Sequence, residues 1–267
     1  MSFCGLQKRY KHSEVMFRLG FGHVKGLVLC GGEGVRLRPL TYYFQKGMIP
    51  IGTKQKPLLE YVVRLLKQNG ITDICFLVGY KAEQIRNYFN EGSRFGVRIA
   101  YGQDKPEYKG SGGAVLNAYK QAVINAEETL LVYYGDILSN VNLKKMLEQH
   151  FDVGADATLA LAKGYRIPVG VAELKEGRIE KFVEKPVMDI LVGIGMLVLN
   201  GSVLKDLEAL YGEGEEMDLM GDLLPQLIRN GRLVHGYVTD AFWYDVGSTE
   251  RYEKLDNNLL AHCLTDS

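Results

Sequence analysis

The run Gly31-Gly32-Glu33-Gly34-Val35-Arg36-Leu37-Arg38-Pro39-Leu40-Thr41 follows directly on the apolar stretch Lys25 to Cys30. Three glycines in four positions let backbone N–H groups approach an anion closely, as in a phosphate-binding nest. Arg36 and Arg38 add charge and fork-shaped donors for phosphate oxygens. The spacing is neither G-x-G-x-x-G nor Walker A, which counts against dinucleotide and P-loop sites. Lys46, ten residues after Arg36, is a cation that would complete a basic pocket.

Acidic candidates stand at strand ends. Asp136 follows the apolar run Leu130 to Tyr134 and a glycine, which puts a carboxylate where open α/β sheets bind ligands. Asp245, between Trp243-Tyr244 and Gly247, has a similar context and could be a second carboxylate. Mg²⁺ on a nucleotide needs only one or two protein carboxylates, because phosphates and water supply the rest. Glu184-Lys185-Pro186 closes another strand, and its acid and ammonium would suit a sugar phosphate. Taken singly, these features are equally a tight turn, a surface lysine, a helix-capping aspartate and a surface tripeptide.

The elements that must hold these residues follow from hydrophobic periodicity. Strands are predicted at Lys25 to Cys30, Ile74 to Val78, Val97 to Tyr101 and Leu130 to Tyr134. Helices are predicted from Pro57 to the stop at Gly70, and at Ala82 to Phe89, Gly113 to Ala126 and Leu143 to His150. This alternation implies βαβ units and a mostly parallel sheet. The second half reads as strands at Ala157 to Ala162, Val169 to Leu174, Ile179 to Val183 and Ile190 to Leu199. It continues with helices at Ser202 to Leu210 and Leu219 to Arg229, a strand at Arg232 to Val238 and a helix at Thr249 to Leu260. The expected fold is α/β: a Rossmann-like, mostly parallel mixed sheet flanked by helices, with a small β-rich subregion. Residues 1–23 have weak periodicity and are expected to be a loosely packed extension, with residues 24–267 forming one domain.

Composition sets the outer limits. The chain has 267 residues, 32 basic and 32 acidic side chains, and 46% hydrophobic residues. That is the make-up of a globular protein, and balanced charge argues against a general binder of nucleic acid or membrane surfaces. Cys4, Cys30, Cys75 and Cys263 show no CxxC spacing, so neither zinc nor a redox pair is suggested, and a reducing, cytoplasmic compartment fits. The longest apolar stretch, Ile190 to Leu199, is about ten residues, too short to span a bilayer.

In order and spacing these motifs resemble the sugar-1-phosphate nucleotidyltransferases, and the likeness runs from Val24 to Leu260. It rests on KGLVLCGGEGVRLRPLT, Lys46, KPLLEYVV, GSGGA at Gly110 to Ala114, and YYGDIL around Asp136. VGVAEL at Val169, FVEKP at Phe182 to Pro186, GIGMLVLN and WYDVGS around Asp245 extend it. The resemblance implies transfer of a nucleotidyl group from an NTP to a sugar 1-phosphate, with Mg²⁺ as cofactor and pyrophosphate as the second product. Mannose-1-phosphate guanylyltransferases are the nearest in pattern; glucose-1-phosphate thymidylyl or uridylyl transfer, and a weakly catalytic NDP-sugar-binding subunit, are the alternatives. It assigns Gly31, Gly32 and Gly34 to the nucleotide phosphates, Arg36 and Lys46 to catalysis, and Asp136 and Asp245 to the metal. Lys185 would hold the sugar phosphate and Glu184 the sugar hydroxyls. Gly170 and Gly195 would line the sugar site, and Gln103 and Gly110 would read the base. Homo-oligomerisation stays open.

Departures from the family pattern accompany the match. The usual Pro-Lys-Pro is here Gln45-Lys46-Gly47, the threonine before the arginine is Val35, and Asn-Ala-Gly becomes Gly193-Ile194-Gly195. No room is expected for the C-terminal β-helix of longer relatives.

Overall fold

The computed structural model describes residues 23–212, 214–256 and 260. Its centre is β1 (Val24–Leu29), whose alternate side chains are buried on both faces. After the glycine-rich loop come two short strands, β2 (Pro50–Ile51) and β3 (Lys56–Pro57), and helix α1 (Leu58–Gln68). The chain then alternates through β4 (Asp73–Val78), α2 (Ala82–Phe89), β5 (Arg98–Gln103), α3 (Gly110–Lys120) and β6 (Thr129–Tyr134). β7 (Ile137–Ser139), α4 (Leu143–Val153) and β8 (Ala157–Arg166) follow. A two-stranded ribbon, β9 (Val171–Lys175) with β10 (Arg178–Val183), leads into the long strand β11 (Val187–Asn200). The remaining elements are α5 (Leu204–Leu210), α6 (Leu224–Arg229), β12 (Val234–Thr239), β13 (Trp243–Asp245) and α7 (Thr249–Glu253).

Seven strands form the main sheet in the order β12-β8-β11-β6-β1-β4-β5. β1 pairs in parallel with β4 and β6, and β4 with β5; β11 runs antiparallel between β6 and β8. Helices cover both faces, so the central strands read as continuous apolar runs. Val28, Leu131, Tyr133 and Val198 face the layer of α1, α2 and α4. Leu27, Leu130, Val132 and Leu197 face that of α3, α5 and α6. Cys30 and Cys75 are free and buried, as small apolar side chains would be. Among the described residues no helix is long and apolar enough to cross a membrane.

Several boundaries differ from expectation for identifiable reasons. α3 begins at Gly110, three residues early, because the Met217 carbonyl accepts the Gly112 N–H at 2.8 Å and so satisfies a first-turn donor. It ends at Lys120, where Ala122 takes φ 56°. The helix expected over Leu219 to Arg229 opens as a π turn at Leu219–Leu223. Pro225 has no N–H for the Gly221 carbonyl, and the turn before it widens. The last helix is interrupted after Glu253; Leu260, the end of the expected helix, is again helical, and residues 257–259 lie outside the described residues. Of the expected N-terminal extension, residues 1–22 lie outside the described residues. His23 is tied to the domain: Thr129 N–H donates to its carbonyl at 3.1 Å, and its ring meets Asp73 Oδ2 at 2.7 Å.

Candidate active site

A cavity of about 540 Å³ opens at the carboxyl ends of β1, β4, β5 and β6. The loop after β1 forms one wall through Gly31, Gly32, Gly34 and Arg36. Gly34 takes φ +64°, and its carbonyl accepts Thr41 Oγ1 at 2.9 Å, which closes the loop. The two arginines separate. Arg36 lines the cavity, whereas Arg38 turns away to Glu33, at 3.3 Å, and to the Tyr42 ring.

Lys46 reaches across the cavity and forms a salt bridge with Asp136. The expected proline frame is replaced by a buried amide. Gln45 Nε2 donates to the Cys30 carbonyl at 2.6 Å, and its Oε1 accepts the Gly47 N–H at 2.6 Å. Gly47 has no room for a side chain, since a Cβ there would lie 2.4 Å from Leu59 Cγ. The turn carrying Lys46 is therefore fixed by hydrogen bonds to the end of β1, in place of two pyrrolidine rings.

Asp136 and Asp245 come from adjacent backbone. β7 and β13 pair antiparallel with Asp245 opposite Ile137, and the Val246 N–H donates to the Asp136 carbonyl at 2.9 Å. Asp245 Oδ2 is paired with Arg251, while Oδ1 is buried without a hydrogen-bond partner. Burial raises the Asp245 carboxyl above its usual range; the charge of Asp136 adds to this, and Arg251, Lys46 and Arg36 oppose it. Two neighbouring carboxylates, one with an orphaned oxygen, fit the needs of Mg²⁺, which takes its remaining ligands from phosphates and water.

The remaining predicted residues fall into two groups. Gly110 lines the cavity; Gln103 does not. The Gln103 Oε1 accepts from Arg86 Nη2 at 3.1 Å on the outer side of β5, and Asp104, the next residue, lines the cavity instead. Gly170, Glu184, Lys185 and Gly195 lie outside the cavity lining, the first three at the ends of the β9–β10 ribbon and Gly195 within β11. Gly170 packs so closely on the ribbon that a Cβ would lie 2.9 Å from Glu184 Oε2. Lys185 Nζ stands 3.9 Å from Glu184. Gly195, at φ +75°, backs onto Tyr134 and Ile137 on either side of Asp136. Tyr108, Ser111, Tyr134 and Glu216 also line the cavity, and none was singled out from sequence. Asp104 could have been found by the rule that found Asp136, an acid at a parallel strand's carboxyl end, had β5 been extended to Gln103.

A family model described as "Nucleotidyl transferase" matches residues 25–262. The chain belongs to the sugar-1-phosphate nucleotidyltransferase family. Among its members, the UTP–glucose-1-phosphate uridylyltransferase of Synechocystis sp. is 32% identical over 89% of this chain and 64% of that protein. The chain thus spans less than two thirds of that relative's length. The D-glycero-α-D-manno-heptose 1-phosphate guanylyltransferase of Aneurinibacillus thermoaerophilus is 30% identical over 88% of this chain and 98% of its own. The family fold is shared with a sucrose-bound Bacillus anthracis structure assigned to the glucose-1-phosphate thymidylyltransferases. There the TM-score is 0.73 at 22% identity, covering 91% of this chain and 97% of that one.

Proposed function

We propose that the protein joins a sugar 1-phosphate to the α-phosphorus of a nucleoside triphosphate, forming an NDP-sugar and releasing pyrophosphate. The observation that carries this reading is the convergence of the Gly31–Gly34 loop, Arg36, Lys46 and Asp136 on one cavity, with Asp245 paired beside Asp136. In-line attack by a sugar phosphate needs no strong base, because the nucleophile is already an anion. Positioning and charge neutralisation do the work. The glycine loop offers N–H donors to the phosphates, and Arg36 and Lys46 offset charge on the departing pyrophosphate. Asp136 and Asp245 would hold Mg²⁺, which when bound neutralises charge on the phosphate oxygens. Lys185 and Glu184 hold the sugar 1-phosphate by its phosphate and hydroxyls, with the backbone of Gly170 and Gly195 beside the ring.

For substrates the reading is GTP with mannose 1-phosphate. The Aneurinibacillus relative, a guanylyltransferase for a manno-configured heptose, and a 30% identical mannose-1-phosphate guanylyltransferase of Mycobacterium tuberculosis support it. The Synechocystis relative favours a second reading, UTP with glucose 1-phosphate. Pyrophosphate release, measured with each NTP against a panel of sugar 1-phosphates and Mg²⁺, tests both. Turnover with GTP and mannose 1-phosphate is the expected result. Nucleotide binding without release in every combination would overturn the enzymatic reading in favour of a binding subunit.

A further inference from the structure

Asp104 is the first residue beyond β5. Its N–H donates to the Val78 carbonyl at 2.8 Å, which fixes the backbone against β4. Its carboxyl lies on the glycine loop: a Cβ on Gly31 would fall 1.7 Å from Oδ2, and one on Gly79 would fall 2.8 Å from it. Asp73, Asp136, Asp156 and Asp206 all have a cationic partner. The Asp104 carboxyl forms no hydrogen bond or ion pair among the described residues, and its Oδ1 is buried without a partner. Burial alone, with no neighbouring cation to oppose it, raises this carboxyl to about 6. A cavity wall thus carries a carboxyl to which the described residues offer no donor, a group that the N–H donors of a ligand would satisfy.

We propose that Asp104 reads the base, its carboxylate accepting the N1–H and the 2-amino group of guanine. This rests on the nucleotidyl-transfer reading above. Position supports it. The Asp104 carboxyl lies against Gly31, the first residue of the glycine loop, while the cations Lys46 and Arg36 gather at Asp136 and Asp245, beyond the end of β6. Chemistry selects the base. An ionised carboxylate only accepts. Guanine places two donors side by side on its pairing edge. Uracil and thymine flank one N–H with carbonyls, and adenine and cytosine set a ring acceptor beside the amino group. Each of these arrangements brings a lone pair against the carboxylate. Oδ1 is buried as it stands, so taking up both donors requires a turn about χ2, whose well is broad for aspartate.

The test is calorimetric titration of the full-length chain and of Asp104→Asn with GTP, ITP, XTP, UTP and dTTP in Mg²⁺. In the wild type GTP is expected to bind tightest. ITP, which lacks the 2-amino group, should be weaker by about tenfold to a hundredfold, the worth of one hydrogen bond to a charged group. XTP, with a carbonyl in its place, should be weaker still. The carboxamide of Asp104→Asn supplies one acceptor and one donor, which match the N1–H and 2-carbonyl of xanthine. XTP should then bind more tightly than GTP, a gain that misfolding cannot produce. Wild-type affinity for UTP or dTTP equal to that for GTP, or an unchanged GTP-to-XTP ratio in the variant, would overturn the assignment. Pyrophosphate release is measured on the same preparations. GTP binding that is sensitive to Asp104→Asn but yields no pyrophosphate with any sugar 1-phosphate would overturn the enzymatic reading and leave the base assignment standing.

Discussion

Lys46 and Lys185 are both proposed phosphate-binding cations, yet they are held differently. Lys46 is largely buried, braced by Gln45 and paired with Asp136, whereas Lys185 stands exposed on the ribbon. Lys185→Ala should raise the apparent KM for the sugar 1-phosphate tenfold to a hundredfold, from loss of a charge-assisted contact of about 1.5–3 kcal/mol. Lys46→Ala should leave that KM nearly unchanged and lower kcat, because charge on the pyrophosphate grows only in the transition state. Steady-state kinetics with each substrate varied in turn separates the two; wild-type kinetics for Lys46→Ala would remove the loop lysine from the reaction. A third side chain gives a pH signature. The ordinary aspartate value is near 3.9, and Asp104 is raised to about 6, so its ionised form costs stability in the folded state. The sign follows: the melting temperature of Asp104→Asn should match the wild type near pH 4. It should exceed it increasingly through pH 6 and keep a constant lead above that. Parallel curves across this range would show that the carboxyl is not perturbed.

The elements around the site differ in how plainly the sequence announces them. β1, β4 and β6 are legible because burial on both faces makes each an unbroken apolar run ending in a loop. β7 and β13 are three residues each, too short for any periodicity, and yet their pairing is what sets Asp245 beside Asp136. Gln103 and Asp104 are hard to tell apart for a related reason. A family position can be carried over, but which of two successive side chains faces the cavity depends on the pleat and on Arg86 capturing the other. The glycine-opened helix α3 yields a test at this scale. Gly110 takes φ +77°, and a Cβ on it would lie 2.3 Å from the Met217 carbonyl oxygen. Gly110→Ala should cost about 1–2 kcal/mol from backbone conformation alone, with the clash in addition. Thermal unfolding several degrees below the wild type is the expected outcome, and an unchanged melting temperature would mean that the Met217 segment moves freely aside.

For the whole molecule, the N-terminal boundary is the open matter that experiment can settle directly. His23 contributes a backbone acceptor to Thr129 and a ring contact to Asp73, which is also paired with Arg98. We propose that the domain starts at His23. A chain beginning at His23 is expected to keep the wild-type melting temperature and activity. One beginning at Val24 should melt lower, because Asp73 loses a partner and the Thr129 N–H must find water. Loss of folding in the chain that begins at His23 would show that residues 1–22 belong to the domain. The α/β class and the order of its parallel half follow from strand–helix alternation. The insertion of β11 between β6 and β8 does not, because an antiparallel crossover leaves no local mark on an apolar strand.

The pairing of Lys46 with Asp136 and of Arg251 with Asp245 leaves each acid already matched by a cation of the chain. On the proposed metal reading the site would work as an ion exchanger: Asp136 and Asp245 would take Mg²⁺, and Lys46, which lines the cavity, would be left to turn to the phosphates. Either half of that trade alone leaves charge unmatched. A bare nucleotide would have to pull Lys46 from Asp136, and a bare metal ion would have to displace both cations into solvent. On that reading loading would be coupled, with metal and nucleotide each expected to raise the other's affinity by the same factor.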